Sequence, residues 1–260
     1  MSKKKSTATK QEHMSRTAER AAAIRKEHEA KERRRRTLVV TGVAVVVLAL
    51  IFGIGYAVQS SRDSTGQVAT APAGVVDEYA VPVGEQSAPV EVTIFEDFMC
   101  PYCGQFEAAS HDVLERYVDQ GDVLVKYRVV SFLDRASDGT KYSTRAMNAL
   151  GAVLDSSGPE AAKKFHDSLF ANQPEESTPG LSDSQLIDFA VEAGAQESDV
   201  AGPITSVKFE QWVQNAGDAA SKEKINSTPT VMVDGEPVTG TTIDGMVAEM
   251  AKRIDAKLGS

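Results

Sequence analysis

The chain has 260 residues, 42% of them apolar, and a formal net charge of −9. That length suits one ordinary globular domain with attachments, and the apolar share is too small for a wholly membrane-embedded chain. The charge is uneven: residues 1–37 carry 13 Lys/Arg against 5 Asp/Glu, while the 202 residues after Val58 hold 15 basic and 32 acidic side chains. So acidic a segment repels phosphates, which excludes nucleic acid as its expected partner.

Residues 1–37 read as a cytoplasmic segment, in which the mixed charges of residues 10–36 favour a solvated helix without an apolar stripe. Residues 38–58, "LVVTGVAVVVLALIFGIGYAV", contain no charge and at about 1.5 Å per residue are long enough to cross a hydrocarbon core of about 30 Å. The preceding "KERRRR" orients such a span with the N-terminus in the cytoplasm and the C-terminal part outside. A cleaved signal peptide is the alternative, but the basic lead is long and the apolar run exceeds the usual core of about 7–15 residues. The expectation is a single-pass anchor in the cell membrane, with the lipid bilayer as partner of residues 38–58. Residues 59–75 are small, polar and Gly/Pro-containing, as in a flexible tether.

A domain over 76–260 follows. "PVEVTIFEDF" alternates Val90, Val92 and Ile94 with Glu91, Thr93 and Phe95, which predicts a strand over 90–95. "PYCGQFEAASHDVLERYVDQG" then places Phe106, Ala109, Val113 and Tyr117 at helical spacing and ends at Gly121, a suitable cap. "VLVKYRVV" predicts a second strand over 123–130, making a βαβ unit with parallel strands. From about 135 to 224 four helical patterns form an inserted subdomain: "YSTRAMNALGAVLD", "PEAAKKFHDSLFANQ", "SDSQLIDFAVEAGA" with a capping box from Ser182 to Gln185, and "ITSVKFEQWVQNAGDAASKEK". "TPTVMVDGEPVTG" is a hairpin around Asp234-Gly235, and the chain closes with an amphipathic helix carrying Ile243, Met246, Val247, Met250 and Ile254 on one face. The fold class expected is α/β.

Cys100 and Cys103 are the only cysteines. A metal site is not expected, because zinc wants clustered ligand pairs and the domain's two histidines, His111 and His166, fall on separate predicted helices. An inert structural disulfide would persist outside the cytoplasm, but a loop this short stabilises little. A redox pair uses the whole setting. Cys100 falls at a helix N-terminus, where free N–H groups and the macrodipole favour a thiolate nucleophile; Cys103, one turn later, can resolve a mixed disulfide. The helix end contributes about 0.3–2 kcal/mol, or at most about 1.5 pKa units, and the neutral Tyr102 beside Pro101 adds no cation. A moderately depressed Cys100 thiol is therefore expected.

With "GEQSAPVEVTIFEDFMCPYCGQFE", "KFHDSLFANQP" and "INSTPTVMVDGEPV", residues 83–258 resemble the DsbA-like branch of the thioredoxin superfamily, especially its bacterial membrane-anchored members. The resemblance implies a thioredoxin-like core with a helical insertion and a protein thiol-disulfide oxidoreductase acting through the disulfide of Cys100 and Cys103, with no bound cofactor. It also implies a cis bond at Thr228-Pro229, where those two residues receive an extended substrate strand. Exported protein dithiols are the implied substrates, and a DsbB-like or vitamin K epoxide reductase-like membrane protein the implied reoxidant. A reductase or isomerase of the same fold, or a tethered binding module with an inert disulfide, are the alternatives. One departure stands out: Ile94 occupies the position, six residues before the first cysteine, where such proteins often bury an acid. Alternation along the strand places neither Glu96 nor Asp97 at that spot. His111 and Trp212 are expected to be ordinary surface or packing residues.

Overall fold

The computed structural model describes residues 69–259. The charged segment 1–37, the apolar span 38–58 and residues 59–68 of the tether lie outside the described residues. Among the described residues no helix is long and apolar enough to cross a membrane.

Five strands, β1 (Val81–Val83), β2 (Val90–Glu96), β3 (Val123–Val129), β4 (Thr230–Val233) and β5 (Glu236–Pro237), form one sheet in the order β1-β3-β2-β4-β5. β2 lies at its centre, parallel to β3 through the crossover helix α1 (Pro101–Asp119) and antiparallel to β4. Asp234 and Gly235, at φ 49° and 78°, turn β4 into β5 with both central residues in the left-handed region that the sharp hairpin requires. β1 was not legible: three residues with Pro82 in the middle make a weak signal, and an edge strand tolerates the missing N–H.

Between β3 and β4 stand the helices of the insertion: α2 (Tyr142–Ala171), α3 (Asp183–Glu192), α4 (Glu197–Thr205) and α5 (Glu210–Lys222). The first two expected helices are one kinked element, bent at Gly158 with φ 80°, and Pro159 restarts the helix there. α3 opens with the capping box from Ser182 to Gln185. The fourth expected helix is in fact two, because Val207 turns to φ 49° and breaks it between Thr205 and Glu210. α6 (Ile243–Leu258) buries Val247, Met250 and Ile254 and packs on α1, where Tyr117 Oη donates to Asp255 Oδ1 at 2.6 Å.

One apolar core runs from the sheet into the insertion, joining Val92 and Phe106 to Leu150, Phe165 and Trp212. Each such side chain contributes about 1.5–3 kcal/mol on burial, so insertion and sheet stabilise each other. Trp212 packs as expected, with its indole N–H on the Glu78 carbonyl oxygen at 2.9 Å. The end of the predicted tether is part of this packing: Pro72 is buried, and the Ala73 N–H donates to Asp155 Oδ1 at 2.8 Å.

Candidate active site

β2 delivers the chain to the site. After Glu96 it leaves the sheet, and a four-residue loop ends at Cys100, the N-cap of α1, with φ −79° and ψ 115°. Pro101 opens the helix where its absent N–H costs nothing. The buried stripe of α1 is Cys103, Phe106, Glu107, Ser110, Leu114 and Tyr117. Of the expected stripe, Phe106 and Tyr117 are buried, while Ala109 is exposed and Val113 half-buried; Ser110 and Leu114 take the inward positions between, and Glu107, polar in type, also faces in.

Cys100 retains 5% of its exposure and Cys103 none, while Tyr102 stands 62% exposed between them. Both cysteines are thiols in the structure. Across from Cys100 the Thr228–Pro229 peptide bond is cis, and Cys100 Sγ donates to the Thr228 carbonyl oxygen at 3.4 Å. Residues separated by more than a hundred positions thus meet at one sulfur.

The two thiols differ sharply. Cys100 is lowered to about 6 by a hydrogen bond from the Cys103 thiol, against its burial, with help from the Thr228 side chain and the N–H groups of Cys103 and Tyr102. This is a moderate depression of the size a helix end and a few donors supply. Cys103 is pushed far above the ordinary thiol range by burial, by its hydrogen bond to Cys100 and by the nearby charges of Cys100 and Glu96. One sulfur is a thiolate at neutral pH and the other holds its proton.

The loop is fixed from the insertion. Asp97 is fully buried; Oδ1 accepts from the Met99 N–H at 2.9 Å and Ser143 Oγ at 2.7 Å, and Oδ2 accepts from the Leu133 N–H at 2.9 Å. Burial raises its carboxyl to about 6 despite these bonds. Gln173, in the turn after α2, donates from Nε2 to the carbonyl oxygens of Phe98 at 3.1 Å and Cys100 at 2.9 Å. Gly104 makes this possible, since a Cβ there would overlap the Gln173 amide. Neither Gln173 nor Ser143 was singled out from the sequence; the "FANQP" segment carried the signal.

The expected lack of a buried acid behind the cysteines is corrected by the fold. Ile94 is buried, but Glu96 and Asp97 are also fully buried. Alternation puts Glu96 on the same face as Ile94, two residues nearer the cysteines, so the acid is displaced along β2 rather than lost. Opposite it, His166 of α2 is 1% exposed and places Nε2 2.6 Å from Glu96 Oε1 and Nδ1 3.1 Å from Asp167 Oδ1. Glu107 of α1 completes the cluster, burial and the charge of Glu96 pushing its carboxyl up to about 8. Although burial opposes a charged imidazole, Glu96 and the bond to Asp167 raise His166 to about 10.

The ligand-type atoms of Glu96, Glu107 and His166 lie within 4.8 Å of one another, so the fold gathers a set that the sequence scatters. It suits protons better than a metal, because both nitrogens of His166 already face carboxylate oxygens and an imidazolium has no lone pair to give. The second grouping, His111, Asp112 and Glu115, is wholly exposed on α1.

Residues 77–255 match the family model described as Thioredoxin. The chain is similar to the crystal structure of reduced DsbA from Mycobacterium tuberculosis, with 31% identity, TM-score 0.60, and coverage of 70% of this chain and 93% of that one. It is similar also to the reduced disulfide bond oxidoreductase DsbG of the same organism, with 30% identity, TM-score 0.61, and coverage of 76% and 93%. Among curated proteins, the serine/threonine-protein kinase PknE of M. tuberculosis is 31% identical over 161 residues, 57% of this chain but only 28% of the kinase's length. With the matched span enclosing the sheet, the CPYC turn and the cis-proline, the chain belongs to the thioredoxin family, in its DsbA-like branch.

Proposed function

We propose that this chain is a membrane-anchored thiol-disulfide oxidoreductase that oxidises dithiols in exported proteins. The observation that carries it is the asymmetry of the two sulfurs: a depressed Cys100 thiol at the rim, backed by a buried Cys103 that keeps its proton. In the oxidised protein, a substrate thiolate attacks Cys100 Sγ and the Cys100–Cys103 bond breaks. The second substrate thiol then displaces Cys100, leaving as the stabilised thiolate. A stabilised reduced form makes the disulfide a stronger oxidant, which supports oxidation rather than reduction as its direction. A solved relative named as a disulfide bond oxidoreductase supports the same chemistry.

Thr228 and Pro229 are assigned to substrate strand binding, since the cis bond sets the Thr228 carbonyl oxygen 3.4 Å from Cys100 Sγ. Pro101 and Tyr102 form the dipeptide that substrates meet first, and no cofactor beyond the redox disulfide is invoked. The uncharged span 38–58 supports an anchor with the domain outside the cell, and the reduced pair then needs a membrane reoxidant of the DsbB-like or vitamin K epoxide reductase-like type. Alkylation trapping of the full chain in intact cells tests this reading. It predicts a mostly oxidised pair that exchanges within the labelling time; a pair held reduced, or oxidised but inert, would contradict it.

A further inference from the structure

The loop that carries Cys100 lies outside strand and helix, so its peptide groups need partners of their own. Pro101 leaves the Cys100–Pro101 peptide without an N–H, and only its carbonyl oxygen can hold it in place. That oxygen accepts from the N–H groups of Cys103 at 3.0 Å and Gly104 at 3.2 Å, and from Gln173 Nε2 at 2.9 Å. Gln173 Nε2 also donates to the Phe98 carbonyl oxygen at 3.1 Å. At the other end of that Phe98–Met99 peptide, the Met99 N–H donates to Asp97 Oδ1 at 2.9 Å. The peptide is gripped at one end by the loop itself and at the other by the insertion.

The Gln173 backbone merely closes α2, its N–H on the Phe170 carbonyl oxygen at 3.3 Å. Its side chain does something different. A glutamine that only ended a helix would leave its amide in water, whereas here both donor hydrogens of the amide face the turn before α1. Gly104 belongs to the same arrangement. It lies inside α1 without a left-handed φ, so the backbone does not call for glycine there, but a Cβ would overlap the Gln173 amide.

The position of Cys100 Sγ decides what it can do. The Cys103 thiol, the Thr228 side chain and the N–H groups of Cys103 and Tyr102 all act on it, and it reaches the Thr228 carbonyl oxygen at 3.4 Å. These partners come from α1 and from the segment before β4, so the loop has to be in register with both. Hydrogen bonds weaken steeply with distance and angle, and a small rotation of the Cys100–Pro101 peptide disturbs several together.

Building on the oxidoreductase reading, we propose that Gln173 is a positioning residue for exchange at Cys100: its amide, seated against Gly104, holds the Phe98 and Cys100 carbonyls and keeps Cys100 Sγ over the first turn of α1. The insertion thereby takes part in setting how acidic that sulfur is. When glutathione reduces the disulfide, two glutathione thiols become one glutathione disulfide, leaving Cys100 as thiolate, Cys103 as thiol and one proton in solution. Without the amide the thiolate is less stabilised, and the disulfide is a weaker oxidant.

The test is a thiolate titration of the reduced full chain, joined to its equilibrium with glutathione. Among the described residues, Cys103 from α1 and Asp97 from the loop are the titratable groups that face Cys100; every variant keeps both, and absorbance reads sulfur alone. Gln173→Ala moves the transition up from about 6 by about one pH unit, within what a helix end supplies. The glutathione equilibrium then shifts about tenfold toward the disulfide at about pH 8, and hardly at about pH 5, where Cys100 is protonated in both chains. Gly104→Ala, a favourable exchange for a helix interior, does the same by pushing the amide aside. The double variant moves the transition no further than either single one, since both remove one contact. An unmoved transition in either single variant overturns the proposal. So do shifts that add in the double variant, or a glutathione equilibrium displaced equally at both pH values. If glutathione opens the unmodified disulfide at no pH, the oxidoreductase reading fails, while the titration still decides whether the amide holds Cys100.

Discussion

Cys100 and Cys103 share a turn of α1, yet the rim around Cys100 and the wall behind Cys103 are built on opposite physical terms. At the rim, the neighbouring Cys103 thiol, the Thr228 side chain and backbone N–H groups favour negative charge on Cys100, which keeps 5% of its exposure. Behind it, burial and the charge of Glu96 make a second negative charge costly. The difference teaches that the CPYC turn does not by itself separate the two roles. The turn supplies the Cys103 thiol and the N–H groups that lower Cys100, Thr228 just before β4 adds to them, and burial with the charge of Glu96 on β2 raises Cys103.

The comparison breaks most completely at the sulfurs. Cys100→Ala should reduce exchange with a model dithiol to the uncatalysed rate, whereas Cys103→Ala should still be attacked and stall as a mixed disulfide, seen on non-reducing gels. Next in size, His166→Ala strips the buried wall of its cation and should cost about 3–5 kcal/mol in urea unfolding, as breaking a buried pair does. Its pH dependence has a fixed sign. A His raised to about 10 contributes fully below its ordinary pKa of 6.5 and loses that contribution as pH rises through 10, so the deficit should shrink on the alkaline side. Glu107 runs in the same direction in a lower window: its carboxyl, raised from 4.5 to about 8, makes stability fall with rising pH between those values. Glu107→Gln should therefore gain on the unmodified chain by up to about 1.4 kcal/mol per pH unit there.

Smaller effects sharpen the rim. Gln173→Ala leaves the Phe98 carbonyl without its side-chain donor, while the Cys100 carbonyl keeps the N–H groups of Cys103 and Gly104. A loss at the lower end of about 1–3 kcal/mol should appear in thermal unfolding. Tyr102→Ala, at an exposed position, should change stability by less than about 0.5 kcal/mol, so any effect on substrate exchange would report contact at the rim.

The rim was the more legible of the two regions. A strand, a CPYC turn and a helix are contiguous in sequence, and the hairpin after Thr228-Pro229 has a sharp turn signal. The wall was not legible, because its members come from three elements and each looks ordinary alone. His166 sits within a charged helical pattern, Glu107 is polar in type on an amphipathic helix, and Glu96 was passed over because it stands two residues along β2 from Ile94, although alternation puts both on one face. Tertiary burial overrode residue type in each case. The same logic explains α1, where Phe106 and Tyr117 are buried as apolar spacing suggests but Ser110 and Leu114 face inward in place of Ala109 and Val113.

The most direct test of the two-sided site is a titration of thiolate absorbance in the reduced protein. A single transition near pH 6 is predicted, absent in Cys100→Ala and moved to higher pH in Cys103→Ala, where the sulfur loses its main hydrogen-bond donor. A transition at the ordinary thiol value, or one that survives removal of Cys100, would contradict the account.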